Sequence, residues 1–353
     1  MKTKISFFII LLLLFFLINN CQYFELLSYK EWKDNSGDND VDIYIGGYYM
    51  IGSDLYACYW KNNELVPLGS GNITAIYLDG NDIYCGGFYS NSSVDNAFYC
   101  KNEVRVSVEL DDTGNASRIY SIAAAGGVVF ACGYETIGAI TVSCYWINGK
   151  KYSLNNLGTG NSRANSIIID NDTLDFYIAG YYTDGYQKAC YWINGNECIT
   201  LPVPNYTNPA YEAISVTLSN GKLYFCGDCD HASVYDCLPC YWIDGEFVEL
   251  QPGNTDAVVN DIKIYNGTVY CIGDELIGFA NTYPTLWKDN SIVWSDTSAT
   301  NGRKFTVYNG DIYATGYYDS NQYPCYWKNG NRTTLNYPSS PSHGSCIAVK
   351  PKM

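Results

Sequence analysis

Aromatic and acidic side chains recur within two residues of a glycine that is repeated seven times along the chain. Aromatic ring faces beside carboxylates are typical of sites that bind sugars or protein loops. The candidate binding residues are Tyr48, Tyr89, Tyr134, Tyr181, Asp228, Asp274 and Tyr317. Tyrosines at a fixed repeat position can also pack as wedges between neighbouring repeats. The pattern therefore leaves a binding interpretation and a structural interpretation open.

Catalytic chemistry has a narrower basis. Three carboxylates, Asp228, Asp274 and Glu275, could supply the acid and base of a carbohydrate-active enzyme. The only histidines are His231 and His343, and neither lies in a recognisable nucleophile–base motif. We therefore expect a non-enzymatic interaction protein that presents one rim to a partner. The carboxylate enzyme is the alternative, and a structural envelope component is a third possibility.

The repeated unit positions these residues. Its clearest copy, Phe176–Gly195, reads as two short apolar strands separated by a polar loop and followed by an Asn-Gly turn. The copies recur about every 45 residues, the length of one four-stranded propeller blade. The shared glycines are Gly47, Gly87, Gly133, Gly180, Gly227, Gly273 and Gly316.

The repeat predicts an all-β fold, a seven-bladed β-propeller with four antiparallel strands in each blade. Strand segments such as Cys190–Ile193 are apolar at consecutive positions, so both of their faces must be buried, as happens between packed blades. Blade 1 lacks a first strand of its own. We expect residues 345–349 to pair with residues 42–46 and close the ring, with residues 26–32 as the competing candidate.

The N-terminus predicts export. Lys2 and Lys4 precede fourteen nearly unbroken apolar residues, too short for a usual transmembrane helix but suited to a signal peptide. Residues 17–21 resemble a bacterial lipoprotein cleavage box, which implies lipidation of Cys21; an ordinary signal peptide is the alternative. The expected organisation is a signal peptide at 1–21, an N-terminal segment at 22–40 and the propeller at 41–353. The protein would be secreted or held at the cell surface or outer membrane, with membrane contact only through the lipid.

An acidic run precedes the first repeat. Asp34, Ser36, Asp38 and Asp42 resemble the calcium loops of integrin-type propellers, in which oxygen ligands at such spacing surround the cation. A solvated linker is the other interpretation. No other cofactor is expected.

Fifteen cysteines in an exported chain suggest disulfides, yet five of them recur at one blade position, which favours buried free thiols. The segment from Cys226 to Cys240 resembles a pair of zinc knuckles. Only Cys229 and Cys237 are additions to the repeat, and we expect a disulfide between them to close one loop.

The formal net charge of −15 argues against binding of nucleic acid or an anionic membrane through basic patches. The expected partner is a protein or a glycan of unknown identity.

The unit from the glycine–aromatic pair to Cys-Tyr-Trp, as in Gly316-Tyr317 and Cys325–Gly330, resembles the tandem YWKNG repeats of poorly characterised bacterial exported proteins and lipoproteins. It is more loosely similar to kelch repeats, through the glycine doublets Gly46-Gly47 and Gly86-Gly87. The resemblance implies a propeller and no particular activity.

Overall fold

A computed structural model describes residues 40–91, 94–111, 114–204, 210–231, 236–251, 256–277, 281–338 and 341–352. The predicted signal peptide with Cys21, and the predicted N-terminal segment up to residue 39 with Asp34 and Asp38, lie outside these residues. The chain divides into two units, one of residues 1–41 and 352–353 and the other of residues 42–351. Within the described part of the first unit, the Lys352 N–H donates a hydrogen bond to the Asp40 carbonyl.

The described strands form seven separate four-stranded sheets, which are the seven blades. Blade 1 contains β28 (Ser342–Pro351), β1 (Val41–Ile51), β2 (Asp54–Lys61) and β3 (Glu64–Ser70). Blade 2 contains β4 (Asn72–Asp79), β5 (Asp82–Asn91), β6 (Val94–Lys101) and β7 (Val104–Ser107). Blade 3 contains β8 (Ser117–Ala125), β9 (Val128–Ile137), β10 (Ile140–Ile147) and β11 (Lys150–Ser153). Blade 4 contains β12 (Ser162–Ile169), β13 (Phe176–Asp184), β14 (Tyr186–Ile193) and β15 (Glu197–Thr200). Blade 5 contains β16 (Ala210–Ser219), β17 (Lys222–His231), β18 (Asp236–Ile243) and β19 (Glu246–Glu249). Blade 6 contains β20 (Asp256–Tyr265), β21 (Thr268–Ile277), β22 (Asn281–Lys288) and β23 (Ser291–Ser295). Blade 7 contains β24 (Ala299–Tyr308), β25 (Asp311–Tyr318), β26 (Tyr323–Lys328) and β27 (Asn331–Thr334).

The predicted fold is confirmed. Blades 2 to 7 are built from consecutive antiparallel strands, and blade 1 takes its innermost strand, β28, from the other end of the chain, in the order β28-β1-β2-β3. The closing strand is longer than the predicted residues 345–349. The residues that the structure describes contain no helix long and apolar enough to cross a membrane.

The hydrophobic core is divided among the interfaces between blades. One cluster joins Tyr84 and Tyr99 of blade 2 to Ile119 and Trp146 of blade 3, and corresponding clusters join the following blades. Both faces of a central strand are therefore buried, as its consecutive apolar residues require.

The turn between the two outer strands of each blade is set by its Asn or Asp residue. In blade 3, Asn148 and Gly149 have φ of 50° and 82°, the positive values of a type I′ turn. The Asn148 side chain also accepts a hydrogen bond from the Val129 N–H at 2.9 Å, which ties the turn to the second strand of the blade. Equivalent bonds occur in blades 1, 2, 4, 5, 6 and 7.

A tryptophan on the third strand connects each of six blades to the blade before it. In blade 5, the Trp242 ring nitrogen donates to the Pro202 carbonyl of the preceding connection at 2.7 Å. The same ring nitrogen in blade 1, that of Trp60, donates to the Asn336 carbonyl and so links the last blade to the first. The six residues are Trp60, Trp146, Trp192, Trp242, Trp287 and Trp327. Blade 2 has Cys100 at this position.

Candidate functional site

The repeated glycine allows the second strand of each blade to pack closely against the innermost strand, which lines the channel. A Cβ atom placed on Gly133 would lie 1.8 Å from the Arg118 carbonyl oxygen, so only glycine permits this close approach of the two strands. All seven repeat glycines face a carbonyl of the innermost strand in this way. The residues that own those carbonyls are Asn72, Arg118, Arg163, Glu212, Val258, Asn301 and His343.

A β-bulge follows this contact. In blades 2 to 7, the register of the innermost strand shifts by one residue after the position opposite the glycine. The residues within the shifts are Thr74, Tyr120, Asn165, Ile214, Asn260 and Arg303. A bulge leaves its extra residue outside the ladder and turns its side chain aside, here into the channel.

The six bulge residues, together with all of the first set except Asn301, line one mouth of the channel, a cavity of about 630 Å³. Its described lining contains four basic residues and two carboxylates, in a chain whose net charge is −15. The charged members are Arg118, Arg163, Arg303, Lys304, Glu212 and Asp228. The aromatic members are Tyr48, Phe88, Tyr120 and His343, and the amide members are Asn72, Asn165 and Asn260. The mouth is thus a cationic and aromatic region on an acidic protein.

Two of the arginines are already paired with carboxylates. The Arg118 Nε donates to Asp95 Oδ2 at 2.7 Å, and the guanidinium lies 4.1 Å from the Phe88 ring centroid. Arg163 forms an ion pair with Glu212, and its guanidinium lies 5.2 Å from the Tyr181 ring centroid. Pairing fixes these guanidinium groups and reduces their capacity for a further anion.

Arg303 differs from them because it is exposed and forms no ion pair with any carboxylate of the described residues. It is the bulge residue of blade 7, and its guanidinium lies 5.9 Å from the Tyr317 ring centroid. It is the basic group of the mouth most available to an incoming anion.

A hydrogen-bonded aromatic group lies beside Arg303, where the last blade meets the first. The Tyr48 hydroxyl and His343 Nδ1 are 3.0 Å apart, and His343 Nε2 lies 2.7 Å from Gln322 Oε1. The Tyr317 ring stacks on the imidazole, with 4.1 Å between centroids and 18° between planes. The imidazole is therefore held on both edges and on one face.

The protonation states of this group follow from burial. Burial, with a smaller effect of the Arg303 charge, lowers the pKa of His343 from 6.5 to about 4. Burial and the neighbouring Tyr317 raise the pKa of Tyr48 to about 12. At neutral pH the pair is a neutral imidazole beside a protonated phenol.

The acidic residues predicted from sequence are separated by the structure. Asp228 lies opposite Glu212 and lines the mouth. Asp274 is buried behind the mouth and accepts hydrogen bonds from the Gly302 N–H and from the Asn260 and Asn301 side chains, at 2.7 to 3.0 Å. Burial raises the pKa of Asp274 to about 6. Glu275, the next residue, is also buried and accepts from the Thr285 hydroxyl at 3.1 Å.

The predicted tyrosines have different surroundings. Tyr48 lines the mouth, whereas Tyr134, Tyr181 and Tyr317 pack behind lining residues: Tyr134 is 5.8 Å from Tyr120, ring centroid to centroid. Tyr89 lies away from the mouth, beside Phe98 and the Arg105 guanidinium. The residue of blade 2 that occupies the shared position is Phe88.

The basic and amide residues of the mouth are not among the residues predicted from the sequence. The predicted residues follow the repeat glycine on the second strand of each blade, whereas the lining residues come mainly from the innermost strand. A signal was available, because Arg118 and Arg163 occupy equivalent positions ahead of the apolar residues of β8 and β12. No such signal in the sequence indicates the bulge that turns Arg303 into the channel.

The predicted calcium and disulfide residues also have defined places where they are described. Asp42 accepts a hydrogen bond from the Asn62 side chain and pairs with Lys61. Cys229 and Cys237 are not joined in a disulfide. Cys229 lies opposite Leu238 and Cys237 opposite Asp230, so strand alternation directs the two cysteines to opposite faces of the sheet. None of the fourteen cysteines among the described residues is in a disulfide. The same residues contain no cluster of His, Cys, Asp and Glu arranged for a metal ion.

A second cavity, of about 380 Å³, adjoins the mouth and shares Thr74, Tyr120, Asn165 and Lys304 with it. Its wall includes the buried carboxylate of Asp261, which accepts from the Ser215 hydroxyl at 2.6 Å and from Lys263 Nζ at 2.9 Å. Although burial opposes ionisation, the neighbouring lysines lower the pKa of Asp261 below its usual value. This cluster links blades 5 and 6.

No protein-family profile and no curated protein matches the chain. Among solved structures, it is similar to the polysaccharide lyase Uly1, with a TM-score of 0.49 and 11% identity over 75% of this chain and 81% of that one. It is also similar to the β-propeller domain of the Trilobed protease from Pyrococcus furiosus, with a TM-score of 0.47 and 10% identity over 84% and 94% of the two chains. The GH43 endo-arabinanase from Bacillus licheniformis gives a TM-score of 0.34 and 11% identity over 61% and 92%. Likenesses this distant carry no argument about activity.

Proposed function

We propose that this chain is a glycan-binding protein whose ligand is an acidic carbohydrate held at the mouth of the propeller channel. The observation that carries the proposal is the exposed Arg303, without a carboxylate partner among the described residues, in a cavity that also presents aromatic rings and amides. A guanidinium binds a carboxylate or sulfate through two parallel hydrogen bonds. Aromatic faces and amide groups complement the apolar faces and hydroxyls of a sugar.

Charge distinguishes the proposed ligand from a neutral sugar. The described lining has more basic than acidic groups, whereas the whole chain is strongly acidic. An anionic ligand is repelled by most of the surface and attracted only at the mouth, so the field directs it there. Because the mouth lies in a cavity, its charges are screened less by salt than charges on an open surface.

Asp274 and Glu275 do not form a free acid–base pair at this mouth, since each is buried and hydrogen-bonded within blade 6 or to the neighbouring blade. The carboxylate enzyme is therefore the weaker proposal. Export, a lipid at Cys21 and calcium binding at Asp34, Asp38 and Asp42 stay predictions.

Titration calorimetry with a galacturonate trisaccharide and with the neutral galactose trisaccharide of the same linkage tests the binding role. We expect the acidic trisaccharide alone to bind. Replacing Arg303 by Gln should weaken its affinity by about 10- to 100-fold, the effect of losing a charged hydrogen bond of ~1.5–3 kcal/mol. Arg332→Gln is the matched control, because Arg332 lies on the outer strand of the same blade and pairs with Asp296.

Equal affinity for the neutral and the acidic trisaccharide would contradict the proposal. So would equal losses of affinity in Arg303→Gln and Arg332→Gln, because the effect would then come from net charge and not from the mouth.

A further inference from the structure

We propose that Tyr48 and His343 transfer the proton in a β-elimination that cleaves an acidic sugar chain whose uronate carboxylate is bound by Arg303. The inference rests on the proposed function, since it concerns the same ligand class at the same mouth. It adds a reaction to the binding role, and it assigns that reaction to residues other than the carboxylates. The reacting groups all line the 630 Å³ cavity.

The pair is fixed in the orientation that proton transfer requires. Gln322 Oε1 can only accept a hydrogen bond, so His343 Nε2 carries the proton and Nδ1 has a free lone pair. The Tyr48 hydroxyl therefore donates to Nδ1 across 3.0 Å. The Tyr48 oxygen keeps its own lone pairs, and through them it can accept a proton from a ligand in the mouth.

Arg303 supplies the charge that this chemistry needs. A C–H bond beside a carboxylate is a poor acid, because removing its proton adds negative charge next to a group that is already negative. A guanidinium that binds the carboxylate balances this charge without taking part in proton transfer. The bound carboxylate in turn offsets the Arg303 charge, which is one of the two causes of the low His343 pKa.

The reaction balances without a co-reactant. The Tyr48 oxygen takes the proton from the carbon next to the carboxylate as the phenolic proton moves to Nδ1, which leaves an imidazolium. The electron pair of that C–H bond forms a carbon–carbon double bond, and the C–O bond on the neighbouring carbon breaks. The departing oxygen takes the proton from the Tyr48 hydroxyl, and the imidazolium returns its proton to Tyr48.

Hydrolysis by carboxylates suits this part of the mouth less well. Glycoside hydrolysis generally uses two carboxyl groups, one as acid and one as nucleophile or base. Glu212 is engaged by Arg163 and by the Asn165 side chain. The other lining carboxylate, Asp228, accepts a hydrogen bond from the Cys237 thiol at 3.3 Å, and Asp274 is enclosed by three donors. A hydroxyl–imidazole pair beside a guanidinium instead matches proton abstraction next to a carboxylate.

The test incubates the mature protein with polygalacturonate, alginate and a glucuronate polymer, and measures binding and cleavage separately. Cleavage by elimination is followed by the ultraviolet absorbance of the unsaturated uronate, and mass spectrometry shows that no water has been added to the fragments. We expect Tyr48→Phe to lower the rate at least 100-fold, as for loss of a general acid–base group, while affinity changes less than about threefold. His343→Gln should lower the rate similarly.

The control is Tyr49→Phe, the same chemical change one residue further along β1, where the ring stacks on Tyr56. It should cleave at the rate of the unchanged protein. If the protein binds a polymer but gives no unsaturated product from any of the three polymers, the inference is overturned and the proposed function is left intact. A Tyr48→Phe protein as fast as Tyr49→Phe, or products that have gained water, also overturns it. Absence of binding to every polymer removes the proposed function and this inference together.

Discussion

Replacement of Trp242 by Phe tests how the blades are held together. The Trp242 indole is fully buried, and its ring nitrogen donates to the Pro202 carbonyl at 2.7 Å. Phenylalanine keeps an aromatic ring at the site but removes the donor and the pyrrole part of the indole. The substitution therefore distinguishes the contribution of the hydrogen bond between blades from that of burying an aromatic ring.

The expected loss of stability has two parts. A hydrogen bond of this kind contributes ~1 kcal/mol net, because the Pro202 carbonyl can be solvated once the donor is gone. The lost ring atoms correspond to roughly two to three methylene groups at ~0.8 kcal/mol each, or about 2 kcal/mol. The free energy of unfolding should therefore fall by about 3 kcal/mol, and the melting temperature by about 6 °C in a domain of this size.

The assay is urea denaturation followed by far-ultraviolet circular dichroism, since fluorescence would change with the number of tryptophans. Trp294→Phe is the matched control: Trp294 is half-buried, and its ring nitrogen has no hydrogen-bond partner among the described residues. We expect this variant to lose less than about 1.5 kcal/mol. If Trp242→Phe is no less stable than Trp294→Phe, the ring nitrogen does not link the blades and the reasoning is refuted.

Three further predictions concern stability. The folded pKa of His343, about 4, lies below its usual 6.5, so the stability contributed by the neutral imidazole is complete above pH 6.5 and is lost as the pH falls towards 4. In urea titrations at several pH values, His343→Gln should remove up to about 2 kcal/mol of this pH dependence, allowing for solvent screening. An unchanged pH profile would contradict this. Gly133→Ala should lower stability by more than about 3 kcal/mol in thermal melts, because its Cβ would lie 1.8 Å from the Arg118 carbonyl oxygen. A melting curve like that of the unchanged protein would show that β8 and β9 separate easily at this point. Asp261→Ala should cost about 3–5 kcal/mol in chemical denaturation, because it removes a buried carboxylate that accepts from the Ser215 hydroxyl and the Phe305 N–H and also pairs with Lys263. A neutral result would mean that this cluster adds no net stability.

The sequence predicted the repeat architecture well because the fold is made of local features that recur. Asn-Gly pairs such as Asn148-Gly149 require positive φ at both positions, which identifies hairpins without knowledge of the rest of the chain. Consecutive apolar residues such as Cys190–Ile193 require burial on both faces, and seven copies at one spacing leave a ring of packed sheets as the way to provide it. Ring closure was predicted because blade 1 lacks a first strand and the C-terminus has one strand too many.

The candidate site was predicted only in part. Sequence reasoning reached Tyr48 and Asp228 because they follow the repeat glycine, but it also included Tyr89, which lies away from the mouth beside Arg105. It missed Arg303, whose direction depends on a one-residue register shift between Gly302 and Lys304. A bulge of this kind reverses the side-chain alternation along a strand, and the residue types alone do not show where it falls.

The sequence by itself determined the blade, its turns, its glycine and the number of copies, since each depends on the conformational limits of a few adjacent residues. Only the tertiary structure decided what the channel mouth contains. Arg303 and His343 lie on separate strands, and Tyr48 reaches them from the opposite end of the chain. They become neighbours because the ring closes there, and that closure also buries His343, so that its imidazole stays neutral beside the Tyr48 hydroxyl.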